Sequence, residues 1–174
     1  MKTENGYNIG LYDIRLSEDR LPMLVRECVI TYDRGIVTAG PRETADWVDR
    51  VLDLRHRSRE VFCIIGLDNR NSPIGLFFLT QGTVNASLVS VRDIFLSALS
   101  IGAVKIIAVH CHPSGFCTPS DEDMKMADRI REAGRLMDVE LIDFLIVASE
   151  DGYLSFLEEN LFKEDTDKYP LKKN

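Results

Sequence analysis

Val104-Lys-Ile-Ile-Ala-Val-His-Cys-His-Pro-Ser-Gly-Phe-Cys-Thr-Pro-Ser-Asp-Glu-Asp123 decides how this chain folds. The apolar run Val104 to Val109 has the length and branching of a strand buried on both faces. Pro113, Gly115 and Pro119 stop it and force a tight loop. Ser120, Asp121, Glu122 and Asp123 then read as a helix start, a hydroxyl N-cap with carboxylates against the positive end of the helix dipole. Side chains at i and i+2 of a strand share a face, so His110 and His112 point the same way. Asp123 lies in the first helical turn beyond the loop. Two imidazoles and one carboxylate on rigid elements, with no fourth protein donor in the pattern, match the ligand count of a catalytic zinc site that keeps one position for water. Singly, a strand-end histidine is usually structural, and Ser120 and Asp123 are ordinary cap residues. The chain has only three histidines, however, and two fall in one tripeptide.

The same alternation of apolar runs and helical spacing continues outward. Gly40-Pro41 starts a helix whose apolar face is Ala45, Trp47, Val48, Val51, Leu52 and Leu54, reaching about Arg57. Glu60 opens Val61 to Leu67, a central strand. Asp68 to Pro73 is a turn, Ile74 to Thr80 completes a hairpin, and Gly82 to Leu88 is irregular. Ser90 caps a helix that Gly102 ends. The helix from Ser120 runs to about Met137, Val139 to Ala148 is a further strand, and Gly152 turns into Tyr153 to Phe156. The N-terminal part is less regular. Residues 1–10 read as a frayed end and Leu11 to Leu16 as a weakly alternating edge strand. Met23 to Thr38 mixes β-branched residues with a turn at Tyr32-Asp33-Arg34-Gly35. Helices alternating with apolar strands predict a single-domain α/β/α sandwich around a central mixed sheet.

With 174 residues, 45% hydrophobic and 28% charged, the chain is an ordinary globular domain large enough to bury a core. It has no apolar run of membrane-span length and no signal peptide at Met1-Lys-Thr-Glu-Asn-Gly. Its cysteines, Cys28, Cys63, Cys111 and Cys117, lack framework spacing and suggest reduced thiols in a cytoplasm. A net charge of -7 opposes nucleic-acid binding, which depends on a basic footprint. The local exception, Arg50, Arg55, Arg57 and Arg59 with His56, reads as a solvated helix face.

His110-x-His112-Pro113, followed by Ser120-x-x-Asp123, resembles the zinc motif of the JAB/MPN (JAMM) metalloprotease superfamily. The fuller wording, His-x-His-Pro-Ser-Gly-x-x-x-Pro-Ser-x-x-Asp, is closer to its bacterial RadC branch. Arg59-Glu60-Val61-Phe62, Leu67-Asp68, Gly82 to Val89 with Arg92, Asp143, Ile146-Val147 and Gly152 to Phe156 extend the resemblance over about Pro41 to Phe156. It implies a RadC-like JAB/MPN domain over 41–162; what precedes reads as an N-terminal extension over 1–40, partly ordered, and the charged, apolar-poor residues 163–174 read as a flexible tail.

The resemblance further implies zinc held by His110, His112 and Asp123, with Glu60 as general base and Ser120 assisting the oxyanion. Residue chemistry alone leaves several carboxylates competing for the base. A carboxylate entering an apolar strand would have its pKa pushed up toward the working range, whereas a strand-entry charge facing water would not. Ser120 could cap its helix or serve the oxyanion, but not easily both. Cys117 as a ligand would make a closed structural site instead, while Cys111 alternates away from the histidines.

Family members commonly have a polar residue, often Asn, at the position of Cys111, polar residues at Phe116 and Cys117, and His at Phe144. These departures spare the ligands. The leading expectation is a metallohydrolase of peptide or isopeptide bonds acting on an unidentified protein or peptide substrate. The alternatives are a DNA-associated protein, after the family's repair label, and a non-catalytic scaffold. The helix-hairpin-helix usual ahead of the RadC zinc domain has no counterpart before Pro41, which weakens the first. Oligomeric state has no signature.

Overall fold

The computed structural model describes residues 6–32, 39–81, 89–150 and 152–162. In chain order its elements are β1 (Tyr7–Leu16), β2 (Pro22–Tyr32), α1 (Pro41–Leu52), β3 (Val61–Leu67), β4 (Pro73–Gln81), α2 (Val91–Ser100), β5 (Lys105–Cys111), α3 (Asp121–Met137), β6 (Glu140–Ala148) and β7 (Gly152–Ser155), with a 3-10 turn at Leu54–His56. The strands form one sheet in the order β2-β1-β4-β3-β5-β6-β7. β1 runs parallel to β4 and β5 parallel to β6, and the remaining neighbours are antiparallel.

Helices cover both faces, as an α/β/α sandwich requires. On one face Trp47, Val48 and Leu52 of α1 pack with Val61, Cys63, Ile65, Val109, Cys111, Leu145 and Val147. On the other, Phe95 and Ala98 of α2 and Ile130 of α3 cover Phe62, Ile64, Ile106, Ala108, Phe144 and Ile146. Every residue of β3 is buried, which is why this strand reads as an unbroken apolar run. Alternation along β5 sends His110 to the α2–α3 face and Cys111 to the α1 face.

Three expectations change. Residues 7–10, read as part of a frayed end, belong to β1, and β1 is an inner strand between β2 and β4, not an edge. Asn8 and Gly10 hide the alternation; Ile9 and Gly10 are both buried there, and a Cβ at Gly10 would meet the Tyr12 ring at 2.4 Å. The edge is β2, exposed along most of its length, with a register shift opposite Leu11/Tyr12 and an Arg15–Glu27 ion pair beside it. Finally, α1 stops at Leu52, five residues before Arg57, because Asp53 adopts a left-handed conformation (φ 52°). Arg57 Nε donates to the carbonyl of Leu52 at 3.0 Å and closes the helix end. The expected turn at Tyr32 to Gly35 and the irregular stretch Gly82 to Leu88 lie, apart from Tyr32, outside the described residues.

Candidate metal centre

β5 carries His110 in its last turn of pleat, and His112 follows one residue beyond the strand. The His112 N–H donates to Val147 O at 2.9 Å, so the chain keeps its strand-like course and both imidazoles stay on one side. Their ring centroids are 4.9 Å apart at an interplanar angle of 86°. Gly115, at φ 90°, then reverses the loop, a conformation that favours glycine.

α3 supplies the third group. The Ser120 hydroxyl accepts the Asp123 N–H at 3.1 Å, and the Asp123 carboxylate accepts the Ser120 N–H at 2.8 Å: a capping box with Asp in the acidic position. The Ser120 hydroxyl gives its proton to Asp123 Oδ2 at 2.6 Å. The cap thus fixes the carboxylate as well as the helix start. His110 Nε2 lies 3.5 Å from Asp123 Oδ1, and His112 Nε2 lies 3.4 Å from Oδ2.

Each imidazole is oriented by a backbone carbonyl. His110 Nδ1 is 3.1 Å from Val61 O, and His112 Nδ1 is 3.0 Å from Phe116 O. A carbonyl can only accept, so each Nδ1 carries a proton and Nε2 is the nitrogen each ring turns toward the cluster, free to ligate in the neutral form and, on His112, donating to Asp123 Oδ2 when protonated. Burial pushes the His110 pKa down to about 4, against the pull of the Asp123 charge. For Asp123 burial acts upward, but hydrogen bonds from His112 and Ser120 outweigh it and hold the carboxyl at about 2. Burial also acts to lower His112; the Asp123 hydrogen bond and charge overcome it and raise that pKa.

These groups suit zinc. Among the described residues, His110, His112 and Asp123 are the one set of three such donors brought together, with ligand atoms within 4.8 Å of one another. A tetrahedral ion bonded at about 2.0–2.1 Å separates its ligands by about 3.3–3.4 Å, close to both His–Asp distances. A neutral His110 and an ionised Asp123 are already the ligand forms.

Among the described residues, the fold brings the Glu60 carboxylate to this cluster. The β3–β5 register pairs Phe62 with His110 and Val61 with Cys111, which puts Glu60 beside the cluster. Its Oε2 lies 3.9 Å from His110 Nε2, and its side chain is 18% exposed. Cys117 lies elsewhere, buried, with its thiol donating to Ile146 O at 3.5 Å. Burial pushes the Cys111 thiol up to about 11. The orienting carbonyls of Val61 and Phe116 carry no signal in the sequence, because any residue type offers one.

Residues 39–161 match the family model described as the RadC-like JAB domain. The chain belongs to this family. Its relatives include UPF0758 proteins of Thermotoga maritima, 42% identical over 107 residues that make up 62% of this chain and 48% of the relative, and of Pelobacter propionicus, 36% identical over 70% of this chain and 52% of the relative. The Cellvibrio japonicus relative is 41% identical over 88% of this chain and 67% of its own length. The chain spans about half the length of the first two of these relatives. No helix among the described residues is long and apolar enough to cross a membrane.

Proposed function

We propose that this RadC-like domain is a zinc-dependent hydrolase of peptide or isopeptide bonds. The observation that carries the reading is the convergence of His110 Nε2, His112 Nε2 and the Asp123 carboxylate, with Glu60 3.9 Å from His110 Nε2. His110, His112 and Asp123 would hold zinc, which would supply a Lewis acid for the scissile carbonyl and lower the pKa of water to near 7. Glu60 takes the proton of the attacking water and returns it to the leaving amine as the C–N bond breaks. Val61 O and Phe116 O hold the two imidazoles in the ligating tautomer.

Ser120 has the Asp123 carboxylate as its first task. Its single hydroxyl proton lies on Oδ2, so it reaches a developing oxyanion only by giving that contact up. The arginine cluster gives the DNA-associated alternative little support. Arg55 is paired with Asp46 at 2.7 Å and Asp49 at 3.0 Å, Arg57 closes α1, and His56 meets Asp53 at 2.6 Å.

The test is elemental analysis of the purified protein beside His112→Ala and Asp123→Ala, followed by mass-spectrometric profiling of a tryptic peptide library. About one zinc per chain, as the ligand count requires, lost in both variants, with zinc-dependent cleavage in the library, is the expected result. A protein that neither contains zinc nor binds it on titration sinks the proposal.

A further inference from the structure

We propose that Cys111 is a positioning residue for Glu60: its thiol braces the main chain on both sides of Glu60 and so holds that carboxylate beside the His110–His112–Asp123 cluster. The proposal rests on the hydrolase reading only for the role of Glu60 as base; the brace itself is geometry.

Glu60 lies just outside the sheet. Strand β3 starts at Val61, and its pairing with β5 begins with Val61 opposite Cys111. The ladder therefore does not by itself fix the residue whose carboxylate faces His110. Side chains from β5 hold the backbone on both sides of it. Cys111 Sγ accepts the N–H of Val61 at 3.3 Å, and its S–H donates to the carbonyl of Arg59 at 3.7 Å. One thiol thus uses its donor and its acceptor on the two residues flanking Glu60. The adjoining His110 holds the Val61 carbonyl through Nδ1 at 3.1 Å, from the opposite face of β5. Residues 59 to 61 are gripped at three backbone points by two consecutive residues.

This explains a cysteine that faces away from the cluster. Cys111 is buried on the α1 face, 1% exposed, and contributes no donor atom to the three-residue set. Its thiol meets the backbone groups next to Glu60, and backbone placement sets where a side chain can reach. Positional errors of about 1 Å at a reacting group cost on the order of 100-fold in rate.

The experiment compares the zinc-loaded full chain with Cys111→Val, which keeps an apolar side chain in the buried slot but has neither donor nor acceptor, and with Cys111→Ser, which keeps both. Should the valine variant not fold, Cys111→Ala takes its place with the same expectations. Four quantities are read. These are hydrogen exchange of the Val61 amide by NMR, the Glu60 carboxylate position in crystal structures, zinc affinity by competition with a chromophoric chelator, and kcat and KM on the library peptide cleaved fastest by wild type.

In the valine variant, Val61 exchange rises about 3- to 10-fold, and the carboxylate leaves its place beside His110. Zinc affinity stays at the wild-type value, while kcat falls about 10- to 100-fold with KM unchanged. The serine variant returns toward wild type in all four. A valine variant with Glu60 in place and wild-type Val61 exchange and kcat overturns the proposal, as does one that loses its zinc. If Glu60 shifts in the valine variant alone, yet wild type cleaves no library peptide, the hydrolase reading falls and the positioning role stands.

Discussion

Asp143 offers the sharpest test of the packing. It is 3% exposed on β6, and burial is the leading cause that raises its pKa above the ordinary carboxyl value. Buried acids with raised pKa values often mark catalytic sites, but the contacts of this one are structural. Oδ1 accepts the N–H of Phe144 at 2.8 Å and of Leu157 at 3.0 Å, and Oδ2 accepts the Ser155 hydroxyl at 2.6 Å. Ser155 Oγ in turn accepts the Glu158 N–H at 3.0 Å. The carboxylate thus ties β6 to the turn after β7. Asp143→Ala removes all three hydrogen bonds and leaves buried donors without them, a loss of about 3 to 4 kcal/mol. Asp143→Asn keeps an oxygen for the two amides but turns an NH2 toward Ser155, whose own proton then lacks its acceptor; the cost is about 1 to 2 kcal/mol at low pH.

The pH dependence has a definite sign. A carboxyl whose folded pKa is raised stabilises the fold fully below the unfolded value of about 3.9, and that contribution is lost as pH rises through the folded pKa. Asparagine does not titrate, so the gap between wild type and Asp143→Asn narrows as pH rises from about 3.5 to 7. Asp123, with its pKa held down to about 2, contributes with the opposite sign in both proteins and cancels in the difference. Urea unfolding of the three metal-free proteins across this range measures the effect. A gap that widens with pH, or an alanine variant within about 1 kcal/mol of wild type, refutes the reasoning.

Other consequences are as direct. Glu60→Gln keeps the donor set intact, so zinc content is retained while peptide cleavage falls about 100- to 10,000-fold, read from turnover and metal analysis on the same sample. Zinc at about 100-fold above its dissociation constant adds about 2.7 kcal/mol of stability; calorimetry registers this as a rise in Tm that chelation reverses and Asp123→Ala abolishes. A Cβ on Gly134 would sit 2.3 Å from Val139 O, in a turn closed by the Val139 N–H donating to Gly134 O at 2.9 Å. Gly134→Ala therefore costs about 1 to 3 kcal/mol in urea unfolding and leaves zinc content unchanged.

Much of this was legible because local rules governed it. The i, i+2 relation put His110 and His112 on one side, and Ser120-x-x-Asp123 wrote its own cap; both depend on neighbours in sequence. Strands β3, β5 and β6 are buried on both faces and so announce themselves as apolar runs. β1 did not, because its inner position is secured by β2 and β4 while several of its own side chains remain half exposed. Glu60 could not be chosen from residue chemistry, since its place depends on the register that sets Val61 against Cys111, fifty residues later (111 − 61). The brace from Cys111 was hidden for the same reason. Alternation correctly turns that side chain away from the histidines but does not reveal which backbone atoms it meets.

The distribution of the site along the chain bears on the order in which it is assembled. His110, His112 and Asp123 belong to one short stretch, β5 running through a loop into α3, whereas Glu60 comes from β3, which is synthesised earlier. During synthesis Glu60 emerges first and meets the three donors only once β5 pairs with β3. That single pairing brings His110 onto Val61 O, Cys111 onto Val61 N and Glu60 to the donors. Completion of the cluster is therefore tied to one of the most deeply buried seams of the sheet. Damage that loosens this seam takes Glu60 away from the cluster and frees His110 from Val61 O in the same event, so the carboxylate and the orientation of one donor are lost together.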